Sequence, residues 1–211
     1  RFDRRVRTGL AVFWLLLYVF VNLTSVLYLG SLALQTILGV PLIWGILSLA
    51  AFSALYTIYG GLKAVVWTDV VQVLVLIVGG LVTTYFALDA VSNGQGALVG
   101  FSDLLKQVPE KFDMILDPSN PNYAELPGLG VLLGGMWMAH FFYWGCNQYI
   151  IQRALAAKNI QEAQRGLLFG GYLKLLTPLI VVVPGIVAFA LNADIGKPDE
   201  AYPWLLSTFV P

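Results

Sequence analysis

The sequence predicts an all-α, polytopic membrane protein. Apolar side chains make up 58% of the 211 residues, whereas charged side chains make up only 11%. A soluble domain usually carries about a quarter charged residues, so this chain lacks the side chains that would solvate a surface. The apolar residues also fall in stretches of about 20 residues or more, the length that crosses the hydrocarbon layer. The lipid bilayer is therefore its expected environment.

Five stretches have the length of a transmembrane helix, and a sixth is expected to begin near residue 202. The first is long enough to tilt or to extend beyond the bilayer. None of them alternates polar and apolar residues, so transmembrane β-strands are excluded. Because the sequence opens with Arg1 and stops soon after an apolar stretch, we expect it to be part of a longer protein. The predicted spans, all in a single transmembrane domain, are 10–38, 41–62, 70–90, 127–151 and 167–191.

Basic residues predict the orientation of these spans. If residues 1–7 are cytoplasmic, the segments around residue 63 and over 153–165 lie on the same side, and most Lys and Arg residues are then inside. That is the arrangement the positive-inside rule favours. We therefore expect a multi-pass protein of the cell membrane. Its polar loop, 92–126, would lie outside and would carry a short amphipathic helix near 101–108.

The fourth predicted span combines aromatic and polar side chains. At helical spacing, four of them share one face of a helix. Aromatic rings beside donors and acceptors suit sugars and other amphipathic small solutes. Two other readings stay open: an aromatic belt at the membrane interface, and a histidine that simply bonds a neighbouring helix. The four candidate solute-binding residues are His140, Tyr143, Trp144 and Asn147.

Two charged residues near the predicted spans are further candidates. Lys174 lies about two turns inside the fifth span, and a lysine at a helix centre costs about 2.5–3.5 kcal/mol to insert. Either it snorkels to the headgroups, or it faces a watery cavity and binds solute oxygens. Asp69 lies where the third span begins. It is predicted to cap that helix, as Thr68 could, or to pass a cation at the cytoplasmic mouth.

Prolines and glycine pairs predict irregular or close-packed helices. Pro178 and Pro184 remove backbone hydrogen bonds within the fifth span and should kink it. Paired glycines favour close helix packing or bending. They stand at 60–61, 79–80, 134–135 and 170–171.

Composition also argues against other functions. The 12 basic and 12 acidic residues cancel, which removes any global electrostatic reason to expect nucleic acid as a partner. The sequence has no phosphate-binding glycine loop and no believable Ser/His/Asp set. With one histidine and one cysteine, no transition-metal site is expected. We predict neither an enzyme nor a bound cofactor. An intramembrane enzyme using His140 and Lys174 would need turnover without an ion gradient.

Two long segments carry a family resemblance. Residues 54–72, ALYTIYGGLKAVVWTDVVQ, and residues 143–158, YWGCNQYIIQRALAAK, resemble signature stretches of the sodium/solute symporter family. Within it, they most closely resemble the bacterial sodium/galactose cotransporters, which are related to the animal sodium/glucose cotransporters. The similarity extends over about residues 48–190. It implies a fold of two inverted five-helix repeats with solute and sodium sites near mid-membrane. By this match the chain would hold the last three helices of one repeat and the first two of the next.

The resemblance also implies roles for individual residues. Tyr143 matches an inner-gate tyrosine that stacks on the sugar, and Trp144 matches the tryptophan beside it. Lys174 matches a sugar-binding lysine, and Asp69 matches an aspartate implicated in sodium passage to the cytoplasm. His140 stands where the galactose transporter of the family has asparagine, which leaves the solute open.

The resemblance implies sodium-coupled symport of a small polar solute by alternating access. A monosaccharide such as galactose or glucose is favoured, and sodium is the expected coupling ion. The principal sodium site would need helices from before and after this sequence. Two alternatives remain: a non-sugar solute, such as a carboxylate, amino acid, vitamin or sialic acid, and a transporter-like sensory module.

Overall fold

The computed structural model describes residues 3–124 and 128–210. These residues form α-helices joined by turns and contain no β-strand, which confirms the all-α prediction. Residues 1 and 2 of the predicted cytoplasmic segment, residues 125 and 126 of the predicted loop and residue 127 of the fourth predicted span lie outside the described residues. The helices are α1 (Arg4–Leu38), α2 (Leu42–Val91), α3 (Ala97–Gln107), α4 (Met136–Gly145), α5 (Gln148–Leu155), α6 (Ile160–Ala190) and α7 (Ala201–Phe209).

Helices α1, α2 and α6 are long and apolar enough to cross a membrane. The middle of α1 widens into a π-helical turn, Tyr18–Leu23. The Thr24 hydroxyl donates to the Val19 carbonyl at 3.2 Å, so a side chain satisfies a carbonyl of that irregular turn. Such local compensation is what lets irregular backbone exist at membrane depth. The helix ends at Gly39, whose left-handed φ of 68° forms the C-cap.

Helix α2 is broken at a single glycine. Gly61 has φ 55° and ψ −154°, a conformation open essentially to glycine alone. Residues 63–69, which fall between the second and third predicted spans, are helical. Thr68 donates to the Val65 carbonyl at 2.8 Å, and Asp69 follows it inside the same helix. The predicted N-cap role of Thr68 or Asp69 is therefore wrong, because the helix begins next to Gly61 rather than near residue 69.

The described chain forms two compact units. The first contains residues 3–74 and 193–210, and its buried residues lie on α1, at the start of α2 and on α7. The Ser31 hydroxyl is fully buried and donates to the Leu42 carbonyl at 2.5 Å. A Cβ at Gly45 would overlap Ser31. This close approach joins the end of α1 to the start of α2.

The second compact unit contains residues 75–192. Its core joins the end of α2, the short helix α3 and the last turns of α6. Helix α3 is the predicted amphipathic helix, although it begins four residues earlier than expected, and its Leu104 is 0% exposed. A Cβ at Gly100 would overlap the Leu88 carbonyl, so α3 lies directly against the α2 backbone. The buried apolar side chains are Ala87, Leu88, Val91, Leu104, Val108, Ile180, Val183, Ile186, Val187 and Ala188.

The loop after α3 contacts the last turn of α6. The Lys111 ammonium lies 4.0 Å from the centre of the Phe189 ring, a cation–π contact. Further along, Ser119 donates its backbone N–H (3.0 Å) and its hydroxyl (2.8 Å) to Asp117. These two hydrogen bonds stabilise the carboxylate and lower the pKa of Asp117.

Candidate functional site

The candidate site begins where α4 ends. Cys146 leaves helical geometry (φ −127°), and Asn147 is extended (φ −75°, ψ 112°). The backbone N–H groups of both residues donate to the Phe142 carbonyl at 2.9 Å. The Asn147 side chain then accepts from the Tyr149 N–H at 3.1 Å, which makes it the N-cap of α5. The aromatic residues just before this break thus lie on the last turn of α4.

This break corrects the predicted four-residue face. His140, Tyr143 and Trp144 are on α4, but Asn147 is beyond its end. The i+7 position was expected on the same face because a continuous helix was assumed. In the structure, the Asn147 side chain is occupied in capping α5.

The second part of the site is an irregular stretch of α6. After Lys174, the N–H groups of Leu175 and Leu176 bond carbonyls three residues back, at 3.1 Å each. Pro178 then opens a π-helical turn, Pro178–Val182. A tight turn followed by a wide one is the distortion expected where proline removes a backbone donor. Lys174 thus lies on the last regular turn before the helix changes its path.

The structure brings Lys174 onto the aromatic pair of α4. Its ammonium lies 4.6 Å from the ring centre of Trp144 and 5.6 Å from that of Tyr143, within the range of about 6 Å for cation–π contacts. The two rings meet edge to face, with centres 5.4 Å apart at 82°. The Lys174 ammonium is thus directed at the aromatic rings of α4. We call Tyr143, Trp144 and Lys174 the cation–aromatic cluster.

The cation–aromatic cluster has the chemistry that suits a polar ligand with an apolar face. Tyr143 is 41% exposed and Trp144 is 40% exposed, so parts of both rings remain open. The ammonium carries three donors. No carboxylate in the described part of the chain forms an ion pair with Lys174.

The other candidate residues are not part of the cation–aromatic cluster. His140 is exposed on α4, one turn before Tyr143. Asp69 is half-buried on α2, in the first compact unit. An open hollow also lies along α6, but it does not include Lys174. Its lining residues are Gln164, Leu167, Leu168, Gly171, Tyr172 and Leu175.

One residue near the site was missed from the sequence. The Thr84 hydroxyl lies 2.8 Å from the Gly80 carbonyl of its own helix and 3.0 Å from the Leu179 carbonyl, inside the π-helical turn that follows Lys174. A Cβ at Gly80 would lie only 2.8 Å from the Ile180 Cβ. The signal was present as two small residues, four apart, on an apolar helix, a spacing typical of close helix contacts. The pair at 79–80 predicted close packing, but not its partner.

Comparison with known proteins identifies the class. The model of the family described as "Sodium:solute symporter family" matches residues 1–197. The chain therefore belongs to the sodium:solute symporter family, which confirms the resemblance carried by residues 54–72 and 143–158. With its long apolar helices, it is a multi-pass membrane protein.

Individual relatives point to cotransporters. The chain is 51% identical to "Sodium/glucose cotransporter" of Vibrio parahaemolyticus, over 100% of this chain and 42% of that protein. It is 34% identical to "Uncharacterized symporter YidK" of Escherichia coli K12, over 100% of this chain and 38% of that protein. It is also 34% identical to human "Sodium/myo-inositol cotransporter 2", over 98% of this chain and 34% of that protein. The chain thus spans about two fifths or less of the length of these relatives.

Proposed function

We propose that this protein performs sodium-coupled symport of a small polar solute, with a monosaccharide such as galactose or glucose as the solute. The observation that carries the proposal is the cation–aromatic cluster, in which Lys174 lies over Trp144 and Tyr143. Membership of a sodium:solute symporter family supports the coupling ion. The relatives named for glucose and myo-inositol support a polyhydroxylated solute.

The cluster suits a sugar for a simple chemical reason. One face of a sugar ring presents C–H groups, which pack on an aromatic ring, while its hydroxyls need hydrogen-bond partners. In this proposal Tyr143 receives the C–H face and Lys174 donates to a hydroxyl oxygen. The ammonium rests on the aromatic rings when no solute is present. Arrival of the solute replaces part of that cation–π contact with hydrogen bonds.

Sodium supplies the driving force in this mechanism. Sodium binding would favour an outward-open state, after which the solute binds beside Tyr143 and the protein changes to an inward-open state. A ligand shifts such an equilibrium only by its difference in affinity for the two states. Asp69 is proposed to lie on the path by which sodium leaves to the cytoplasm. His140 and Asn147 are proposed as additional solute contacts. Residues 1–7, the region of residue 63 and 153–165 would be cytoplasmic, and 92–126 external.

Uptake into proteoliposomes tests this proposal. The full-length protein is reconstituted, and entry of labelled galactose, glucose, myo-inositol and sialic acid is measured with an inward sodium gradient and with an equal potassium gradient. We expect sodium-dependent sugar uptake that Tyr143→Ala abolishes and Tyr143→Phe largely retains. Tyr172→Ala is the matched control, because Tyr172 is an exposed tyrosine on α6 outside the cluster.

The alternatives give different results. Sodium-driven uptake of sialic acid without uptake of the neutral sugars would keep symport and reject a neutral monosaccharide, because the Lys174 ammonium can pair with a carboxylate. Absence of sodium-driven uptake of any solute would reject symport and leave the sensory module as the better hypothesis.

A further inference from the structure

The lysine-bearing part of α6 has its first firm anchor within the π-helical turn, Pro178–Val182. Among the described residues of α6, none from 160 to 179 is buried, whereas Ile180 is only 3% exposed. Val183, Ile186 and Val187 are buried beyond it. The direction of the Lys174 side chain therefore depends on the angle between the exposed part of α6 and this packed region.

The anchor includes a hydrogen bond that replaces a missing backbone donor. In the π-helical turn, the Val183 N–H donates to the Pro178 carbonyl. The next residue, Pro184, has no N–H to offer the Leu179 carbonyl. Thr84 is 4% exposed, and its hydroxyl lies 3.0 Å from that carbonyl and 2.8 Å from the Gly80 carbonyl of its own helix, so its one O–H is shared between the two acceptors. An unsatisfied carbonyl at membrane depth is costly, so the side chain of α2 supplies what the backbone of α6 lacks.

Close packing holds the same point. Gly80 faces Ile180 so closely that an added Cβ would lie 2.8 Å from its Cβ. Gly80 and Thr84 are one turn apart on α2 and contact consecutive residues of α6. Together these two contacts hold the π-helical turn of α6 in place against α2. Lys174 stands on the regular turn that enters this bend, so a change in the bend swings its side chain relative to Trp144 and Tyr143.

We propose that Thr84 is a positioning residue for the solute site: its hydrogen bond to Leu179 holds the bend of α6 and thereby directs Lys174 at Trp144 and Tyr143. This inference rests on the proposed function. Thr84 itself touches neither the solute nor the cation–aromatic cluster. Its loss should therefore alter solute affinity more than the maximal rate.

The first experiment measures initial rates of sodium-driven uptake by the full-length protein over a range of solute concentrations. Thr84→Val keeps the shape of the side chain and removes the donor, while Thr84→Ser keeps the donor. We expect Thr84→Val to raise the apparent KM about threefold to tenfold, the range for interhelical hydrogen bonds in membranes. Thr84→Ser should stay within about twofold of the parent. An unchanged KM in Thr84→Val would overturn the proposal.

Thr83 provides a matched control. It is 1% exposed and donates to the Gly79 carbonyl of its own helix at 2.8 Å. Thr83→Val thus removes a buried hydroxyl of the same helix without removing the contact to α6. We expect a KM within about twofold of the parent, and a rise equal to that of Thr84→Val would reject a specific role for Thr84.

A double-mutant cycle tests whether Thr84 acts through Lys174. If it does, Thr84→Val should raise the KM in the parent and add no further rise in a Lys174→Ala background, because coupled residues are non-additive. Equal rises in both backgrounds would show that the effect bypasses Lys174 and would overturn the proposal.

A thiol-labelling experiment does not depend on transport. In a background with Cys146 and any other native cysteine replaced, the rate at which a water-soluble methanethiosulfonate modifies Lys174→Cys reports its exposure. We expect Thr84→Val to change that rate several-fold and Thr83→Val to leave it unchanged. If the parent shows no sodium-driven uptake, the proposed function fails, yet this rate still decides the positioning role. An unchanged rate in Thr84→Val would overturn it.

Discussion

The two halves of α6 differ in what surrounds them. Up to residue 179 the described helix has no buried residue, and it carries Lys174 at its end. From Ile180 onward most turns are buried against the end of α2 and against α3. The boundary between the two is the irregular stretch at 175–182, with its tight turn and its π-helical turn.

Within this one helix, one half packs against its neighbours and the other half carries the candidate functional side chain. The packed half provides the fixed reference, because close-packed interiors deform little. The other half is free to present a charged side chain to α4. Pro178, at the boundary between them, lets the lysine-bearing half take a different direction from the anchor. Substitutions in the packed half should therefore lower stability, and those in the cation–aromatic cluster should lower solute binding at little cost in stability.

The largest effect is expected from Gly100→Val in the packed region. A side chain there would overlap the Leu88 carbonyl, so α3 would have to move away from α2. Overpacking of this kind costs about 1–3 kcal/mol and sometimes more. The temperature of unfolding, followed by size-exclusion chromatography after heating, should fall clearly. Leu98→Ala is the control, because Leu98 is 88% exposed. An equal loss in both variants would contradict the close contact.

Lys174→Ala should produce the next largest effect, and on function alone. A hydrogen bond from a charged donor contributes about 1.5–3 kcal/mol, so the apparent KM for solute should rise about tenfold or more. The temperature of unfolding should stay close to that of the parent, since Lys174 is exposed. Lys174→Gln retains hydrogen-bond donors, so its apparent KM should lie between those of the parent and Lys174→Ala. A normal KM in Lys174→Ala would remove the lysine from the site.

Two adjacent glycines of α2 test where the packed half of α6 begins. Gly80→Ala places a methyl group against Ile180, whereas a Cβ at Gly79 meets nothing within 4 Å. We expect Gly80→Ala to destabilise the protein by about 1 kcal/mol and Gly79→Ala to be neutral or slightly stabilising, since alanine favours helix over glycine. Unfolding temperatures of the two variants, compared side by side, check this. Equal unfolding temperatures for the two variants would contradict a close contact between Gly80 and Ile180.

The smallest effect is expected at the N-cap of α5. Asn147→Ala removes the acceptor for the Tyr149 N–H, which typically costs about 1 kcal/mol, whereas Asn147→Ser retains a capping oxygen. A lower unfolding temperature with an unchanged solute KM would assign Asn147 to capping alone. A raised KM in Asn147→Ala that Asn147→Ser does not correct would instead place its amide at the solute.

Sequence alone determined the class of this protein and singled out most residues of its candidate site. Composition and the length of the apolar stretches sufficed for an all-α membrane protein, because the bilayer imposes those features on any chain that spans it. The cost of a charge among apolar residues singled out Lys174. The unusual mixture of aromatic and polar groups singled out Tyr143 and Trp144.

Only the tertiary structure decided where helices break and which residues meet. Helical spacing assumes an unbroken helix, so it placed Asn147 on a face that ends at Gly145. It also put a turn near Asp69, although the chain breaks at Gly61. The contact between Thr84 and Leu179 joins residues 95 positions apart. Such a contact depends on how two helices approach each other, and a local pattern of apolar residues contains no information about that approach.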